Sequence, residues 1–198
     1  RIYGISYPKA SQLEEYLNLL EEAKKRDHRK LGKELELFFF DETAPGMAYW
    51  LPKGFTMLNT LIEFWRKEHK ARGYQEFSGP QLNSSSLWKT SGHWDHYKED
   101  MFPVMKLDNE EMVLRPMNCP HHMLIYKNKM HSYRDLPIRI GEIAHDFRFE
   151  ASGALKGIER GRHFCQNDAH LFVTPLQIKS EFKQVVDLIF DVYKDFNI

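Results

Sequence analysis

Apolar residues recur at helical spacing in three long segments of the chain and form shorter runs between turn residues elsewhere. The helical spacing predicts helices over 11–31, 55–71 and about 175–196, and a further helix is expected from about Pro120. The apolar runs predict strands over 37–40, 47–51, 74–78, 102–107, 112–115, 138–150 and 160–173. Because several strands are joined by short turns, the pattern predicts an α+β fold, an antiparallel β-sheet flanked by helices.

Composition narrows the class of protein. The chain has 198 residues of which 42% are apolar, which suits one domain with a substantial core rather than a disordered segment. Two cysteines cannot build a disulfide framework, and no apolar run approaches the length of a membrane span. The 28 basic and 28 acidic residues cancel, so the net charge gives no indication of nucleic-acid binding.

The strands at 138–150 and 160–173 carry an unusual polar row. Since successive strand residues point to opposite faces, one face collects Asp146, Arg148 and Glu150 with Arg160, Arg162, Phe164, Gln166, Asp168 and His170. A solvated sheet face is one interpretation. The other is a nucleotide site, because arginine binds phosphate through two donors and an aromatic ring stacks on a base. Cys165 falls on the opposite face and is expected in the core.

A second group of polar residues combines a thiol with imidazoles. It consists of the segment Met117–His122, which contains Cys119, together with His170. Thiolate and imidazole are zinc ligands, but a single cysteine is also a common small core residue, so both interpretations stay open on the residues alone. The His93–Tyr97 segment is expected to be a packed, hydrogen-bonded loop.

Several segments resemble the class II aminoacyl-tRNA synthetases, and within that class the threonyl-tRNA synthetases. Phe147–Glu150, followed by a loop and Arg160, resembles motif 2 of the class, and Gly73–Pro80 resembles motif 1, which builds the dimer interface. The segments that resemble the threonyl enzymes are Lys25–Gly32, Thr90–Asp95, Arg115–His122 and Gln166–His170, and the resemblance begins at Arg1–Gly4. It implies a class II synthetase-like catalytic fold, incomplete in this chain, with a linker helix at 1–34 and a catalytic domain at 35–198.

The resemblance also implies roles for individual residues. ATP is expected to contact Arg148, the catalytic residue at the α-phosphate, Glu150 and Phe164 at the adenine, and Arg160 near the far phosphates. Threonine is expected to contact Met117, Gln166 and Asp168, and zinc to be bound by Cys119 and His170. His163 stands where the family usually has a small glycine, and strand parity points it away from the ligands.

The implied activity is that of a threonine–tRNA ligase, which activates threonine with ATP and Mg²⁺ and transfers it to tRNA(Thr), while zinc selects the threonine hydroxyl. A cytoplasmic homodimer through helix 55–71 and strand 74–78 is expected. Motif 3, the third zinc ligand and the anticodon-binding domain are expected beyond Ile198, so the 198 residues alone are expected to be inactive or very weak. A non-catalytic paralogue or fragment that binds nucleotide, metal or a synthetase partner remains the alternative.

Overall fold

The secondary structure was obtained from a computed structural model, which describes residues 3–198. Arg1 and Ile2, where the resemblance begins, lie outside the described residues. The helices are α1 (Ala10–Lys25), α2 (His28–Glu34), α3 (Pro52–Ala71), α4 (Ser85–Thr90), α5 (His93–Tyr97), α6 (Cys119–Lys127) and α7 (Ile178–Asp195). The strands are β1 (Phe38–Phe39), β2 (Tyr49–Trp50), β3 (Gln75–Glu76), β4 (Leu82–Ser84), β5 (Met105–Leu107), β6 (Glu110–Leu114), β7 (Ile138–Phe147) and β8 (His163–Phe172). None of these helices combines the length and the hydrophobicity needed to cross a bilayer.

The chain divides into two compact units. The first comprises the residues up to Asn59 together with Ala151–Arg162, and the second comprises Thr60–Glu150 and His163–Ile198. The boundary between a linker helix and a catalytic domain at residue 34 stays a prediction.

The first unit is organised around Phe38, which is buried beside Trp50 on the antiparallel β1–β2 pair. Gly54, in the first turn of α3, must be glycine because a Cβ there would collide with the Leu37 backbone. The helix predicted over 11–31 is wrong in one respect, since it is divided into α1 and α2. The reason is Asp27, whose side chain accepts a hydrogen bond from Arg29 N at 2.8 Å and starts a new helix.

The second unit contains a three-stranded sheet in the order β3–β7–β8. β7 and β8 pair antiparallel over their full length, from Ile138 opposite Phe172 to Phe147 opposite His163. The predicted antiparallel sheet is thus confirmed for these two strands, whereas β3 joins β7 in parallel. A second sheet, β4–β6–β5, packs its Val113 against Trp88 and Met101 in a buried cluster.

Three local predictions need correction. The predicted strands to Glu150 and from Arg160 are too long. β7 ends at Phe147, after which Phe149 N donates to Asp100 O, and β8 begins at His163, before which Arg162 N donates to Gly46 O. The segment 93–97, predicted as a packed loop, forms α5, in which Trp94 packs against the buried cluster while Asp95, His96 and Tyr97 are exposed. Cys165 is exposed rather than in the core.

Cys165 lies on the face of β8 that contacts α3. The face of β8 that carries it also carries Asn167, and α3 reaches this face where His69 Nε2 lies 3.2 Å from Asn167 Nδ2. Cys165 precedes Asn167 by two residues on this face and is exposed. It stands opposite His145 in the sheet register.

Candidate active site

The pairing of β7 with β8 determines which side chains share the polar face. The register places Asp146 opposite Phe164, Ala144 opposite Gln166, Glu142 opposite Asp168 and Ile140 opposite His170. Because side chains alternate along a strand, these four residues of β8 lie on one face, as the sequence pattern predicts. His163 lies on the other face, where its Nε2 is 3.0 Å from His145 Nδ1 and its ring stacks on Phe147.

Arg148 lies just beyond the end of β7, next to an aromatic ring. Its guanidinium carbon is 5.0 Å from the centroid of the Phe164 ring, and its Nε donates to Pro116 O at 3.3 Å. Glu150 follows two residues later and is half-buried. A guanidinium fork beside a flat ring suits a phosphate attached to a stacked base. Arg160 belongs to the first unit, where it forms an isolated antiparallel bridge with Lys156.

A buried ionic network supports this end of the sheet. Arg115 is 1% exposed, Glu142 3% and Asp146 0%. Arg115 Nη1 lies 3.0 Å from Glu142 Oε2 and donates to Asn118 Oδ1 at 3.1 Å, while Nε and Nη2 donate to His145 O. Arg115 Nε is also 3.2 Å from Asp146 Oδ1. One guanidinium therefore joins β7 to the segment that precedes α6.

Burial is the main cause of the shifted pKa of Asp146. It raises the pKa of this carboxyl to about 6, and the positive charge of Arg115 opposes the shift. Sequence reasoning did not single out Arg115, Glu142 or Asp146 as a network. The strand pattern gave little signal for it, because Glu142 and Asp146 share their face with the polar row and Arg115 ends a separate predicted strand, 112–115.

A candidate metal centre lies further along the same face. One ligand atom each from His122, Asp168 and His170 falls within 4.8 Å of the others. The two imidazole rings are 4.2 Å apart, and His170 Nδ1 is 3.9 Å from Asp168 Oδ2. His122 Nε2 and His170 Nδ1 are buried without a hydrogen-bond partner.

The N-terminal end of α6 orients His122 for such a role. Its Nδ1 lies 3.2 Å from Asn118 O, so Nδ1 carries the proton and Nε2 presents its lone pair. Burial, reinforced by the nearby His170, lowers the pKa of His122, which keeps the ring neutral. A neutral imidazole with a free nitrogen is a metal ligand.

Cys119, the predicted partner of His170, is half-buried in the first turn of α6 and is not a member of this close group. Burial and then the nearby Asp168 carboxylate raise the pKa of its thiol. His122 follows Cys119 by three residues and therefore lies on the same side of the helix. That spacing was the sequence signal for His122. The residue belongs to the predicted thiol and imidazole segment, but it was not predicted as a metal ligand.

The residues predicted to bind threonine border this group. Asp168 belongs to it, Gln166 is exposed one strand position away on the same face, and Met117 is half-buried just before α6. The second unit thus brings together Arg148, Phe164, Gln166, Asp168 and His170 on one side of the β7–β8 pair. Their chemical types suit a nucleotide at one end and a metal-bound polar ligand at the other.

Comparison with known proteins identifies relatives. The family model for the tRNA synthetase class II core domain (G, H, P, S and T) matches residues 102–198. The threonine–tRNA ligase of Anoxybacillus flavithermus is 57% identical over 100% of this chain and 31% of that ligase, so the chain spans about a third of this curated relative.

Two solved structures are also similar. One, described as the RNA-binding domain of threonyl-tRNA synthetase from Cryptosporidium parvum, has a TM-score of 0.83 at 46% identity and matches 86% of this chain and 42% of that chain. The other, Giardia lamblia prolyl-tRNA synthetase with prolyl-adenylate, has a TM-score of 0.77 at 23% identity over 86% of this chain and 36% of that chain, and shows the likeness of fold. The chain is therefore a homologue of the threonine–tRNA ligases over its whole length, with the fold of the class II tRNA synthetase catalytic core.

Proposed function

We propose that the chain is part of the catalytic core of a threonine–tRNA ligase, which joins threonine to AMP and then transfers it to tRNA(Thr). The observation that carries the proposal is the placement of the Arg148–Phe164 pair and the His122–Asp168–His170 group on one face of the β7–β8 pair. The first suits a nucleotide, and the second suits a small ligand held through a metal.

ATP occupies the Arg148 end of this face in the proposal. Phe164 stacks on the adenine, Glu150 contacts its edge, and Arg160 reaches the far phosphates. A threonine carboxylate oxygen attacks the α-phosphorus, and the bond to the pyrophosphate oxygen breaks. Arg148 donates to the α-phosphate oxygens where negative charge develops, and Mg²⁺ accompanies the ATP. A hydroxyl of the terminal adenosine of tRNA(Thr) then attacks the threonyl carbonyl carbon, and the bond to the phosphate oxygen breaks to release AMP.

Threonine occupies the other end, beside Met117, Gln166 and Asp168. The Asp168 carboxylate, 25% exposed, is suited to accept hydrogen bonds from the threonine ammonium group. We propose Cys119 and His170 as zinc ligands, and the unpartnered ring nitrogens of His122 and His170 fit a cation in this space. Zinc, when bound, supplies an open coordination position that distinguishes a hydroxyl from a methyl group.

The proposed protein is a cytoplasmic homodimer that uses α3 and β3, which correspond to the predicted helix 55–71 and strand 74–78. Two apolar side chains of α3 support this part of the proposal because they lie one helical turn apart and are substantially exposed, namely Met57 at 43% and Leu61 at 37%. Exposed apolar side chains grouped on one helix are typical of an interaction surface.

Threonine-dependent exchange of pyrophosphate into ATP tests the activity, in the protein as its gene encodes it. We expect threonine to support exchange more than about 100-fold better than valine, because an apolar pocket alone separates such near isosteres only about 100-fold. Serine, which keeps the hydroxyl, is expected to be used much better than valine. Equal exchange with threonine and valine, or none with either, would refute the proposal.

Zinc content measured by elemental analysis tests the ligand set. We expect Cys119→Ala and His170→Ala to lower the zinc from about one ion per chain to background, because a three-ligand catalytic site does not survive the loss of a ligand. Cys165→Ala is the matched control, since it removes an exposed thiol from the opposite face and should retain the metal. Should His122→Ala lose zinc while Cys119→Ala keeps it, the ligands are the imidazole and carboxylate group instead.

A further inference from the structure

His28, at the start of α2, holds a tight turn in the loop that connects β7 and β8. Ile158 N donates to His28 Nε2 at 3.2 Å. Since Nε2 accepts this bond, it carries no proton, and the ring is the neutral tautomer with its proton on Nδ1. That Nδ1 lies 4.0 Å from Glu159 Oε1, so two successive loop residues approach the same imidazole.

The turn under His28 is built for close contact. Lys156 N donates to Arg160 O at 3.0 Å, and Arg160 N donates back to Lys156 O at 3.4 Å, so residues 156–160 form a closed loop. Gly157 has a φ of +55°, and a Cβ at this position would overlap His28 Nε2 and crowd Arg29 Cγ. Glycine is therefore required both by the backbone conformation and by the imidazole above it.

His28 is itself held from two sides. Asp27 caps α2 by accepting from Arg29 N at 2.8 Å, and its carboxylate also pairs with the Arg29 guanidinium. The imidazole, 21% exposed, stacks on the buried Phe38 ring with 6.4 Å between centroids. The acceptor nitrogen consequently occupies a fixed position, whereas the Lys156–Arg160 turn has mostly exposed residues. We therefore expect α2, through His28, to hold the Lys156–Arg160 turn in place.

We propose that His28 is a positioning residue that fixes the 156–160 turn, and through it Arg160, for the binding of the far phosphates of ATP. The inference rests on the proposed function, which assigns Arg160 to those phosphates. His28 touches neither substrate nor metal in this role. It acts through one hydrogen bond to the Ile158 amide and through contact with Gly157.

Three variants, made in the protein as its gene encodes it, distinguish the hydrogen bond to Ile158 from the packing of the His28 ring. His28→Phe keeps an aromatic ring against Phe38 and removes the acceptor. His28→Gln offers a side-chain oxygen to the Ile158 amide and serves as the rescue. Gly157→Ala disturbs the same contact from the loop side if His28→Phe fails to fold. His96→Phe, which alters an exposed histidine on α5, is the matched control.

The first measurement is hydrogen exchange at the Ile158 amide, which needs no substrate. We expect His28→Phe and Gly157→Ala to accelerate it about two- to tenfold, the factor associated with one neutral hydrogen bond, while His28→Gln and His96→Phe leave it close to the parent. Unchanged exchange at Ile158 in both His28→Phe and Gly157→Ala would overturn the proposal.

The second measurement is the ATP dependence of pyrophosphate exchange. We expect His28→Phe to raise the KM for ATP about two- to tenfold with little change in the KM for threonine, and His28→Gln to restore it. Faster hydrogen exchange at the Ile158 amide without any change in the KM for ATP would overturn the positioning role. A parent protein with no pyrophosphate exchange would overturn the proposed function. Hydrogen exchange at the Ile158 amide would still decide whether His28 holds the turn.

Discussion

Replacing Arg148 with alanine is expected to lower the rate of threonine-dependent ATP–pyrophosphate exchange by about 10²–10³-fold, the loss typical of removing one donor from developing charge. The guanidinium is suited to this role because Pro116 O holds its Nε and the Phe164 ring lies under its carbon atom. These two contacts fix the fork before substrate arrives, so little reorganisation accompanies the reaction. Steady-state exchange with saturating threonine and ATP measures the effect.

Two further variants show whether the two-donor geometry of the Arg148 guanidinium or only its positive charge matters. Arg148→Lys keeps the positive charge but loses the two-donor geometry, so we expect a rate between those of the parent and of Arg148→Ala. Arg134→Ala is the matched control, because Arg134 stacks on the exposed Tyr133 and donates to its hydroxyl, in a segment outside the candidate site. An Arg148→Ala protein that keeps the parent rate would contradict the assignment of Arg148 to the α-phosphate.

The composition of the polar face could be predicted from the sequence because strand parity is a local property. Once β8 is recognised, alternation alone places Phe164, Gln166, Asp168 and His170 together. The resemblance to the class II enzymes and the alternation agree on these four residues, although they rest on different information. The close group of His122, Asp168 and His170 was not predicted as a set, because it depends on how α6 is placed against β8.

Long-range contacts explain the parts that the sequence did not predict. β7 ends at Phe147 because Phe149 N finds a partner in Asp100, which is 49 residues earlier in the chain. The face of β8 that carries the exposed Cys165 contacts α3 at Asn167, through a His69 that is 98 residues earlier in the chain. The division between α1 and α2, by contrast, depends on the local cap at Asp27, a signal that helical periodicity alone overlooks.

The buried network around Arg115 is the largest feature missed by pattern reasoning, and it predicts a large effect on stability. Arg115→Met is expected to lower the free energy of unfolding by about 3–5 kcal/mol, the usual cost of removing one partner from a buried ion pair. The reason is that Glu142 and Asp146, 3% and 0% exposed, then remain as buried carboxylates without their cation. Urea unfolding in the presence of a chelator measures this loss without a metal contribution.

The pH dependence and two comparison variants distinguish the loss of the Arg115 charge from a simple packing defect. Burial raises the folded-state pKa of Asp146 from 3.8 to about 6, so the stability that its protonated form contributes is complete below about pH 3.8 and is lost as the pH rises through 6. Removing Arg115 takes away the charge that opposes this shift, so the loss in Arg115→Met should be larger at pH 8 than at pH 5.

Adding Glu142→Gln and Asp146→Asn to Arg115→Met should recover part of the stability, because no uncompensated charge then remains buried. Arg66→Met removes an arginine from an ion pair with Glu76 in which the two side chains are 53% and 44% exposed, and it should cost no more than about 1 kcal/mol. A loss in Arg115→Met as small as that in Arg66→Met, or equal at both pH values, would show that solvent reaches the two carboxylates and that Arg115 is not the group that holds β7 to the segment before α6.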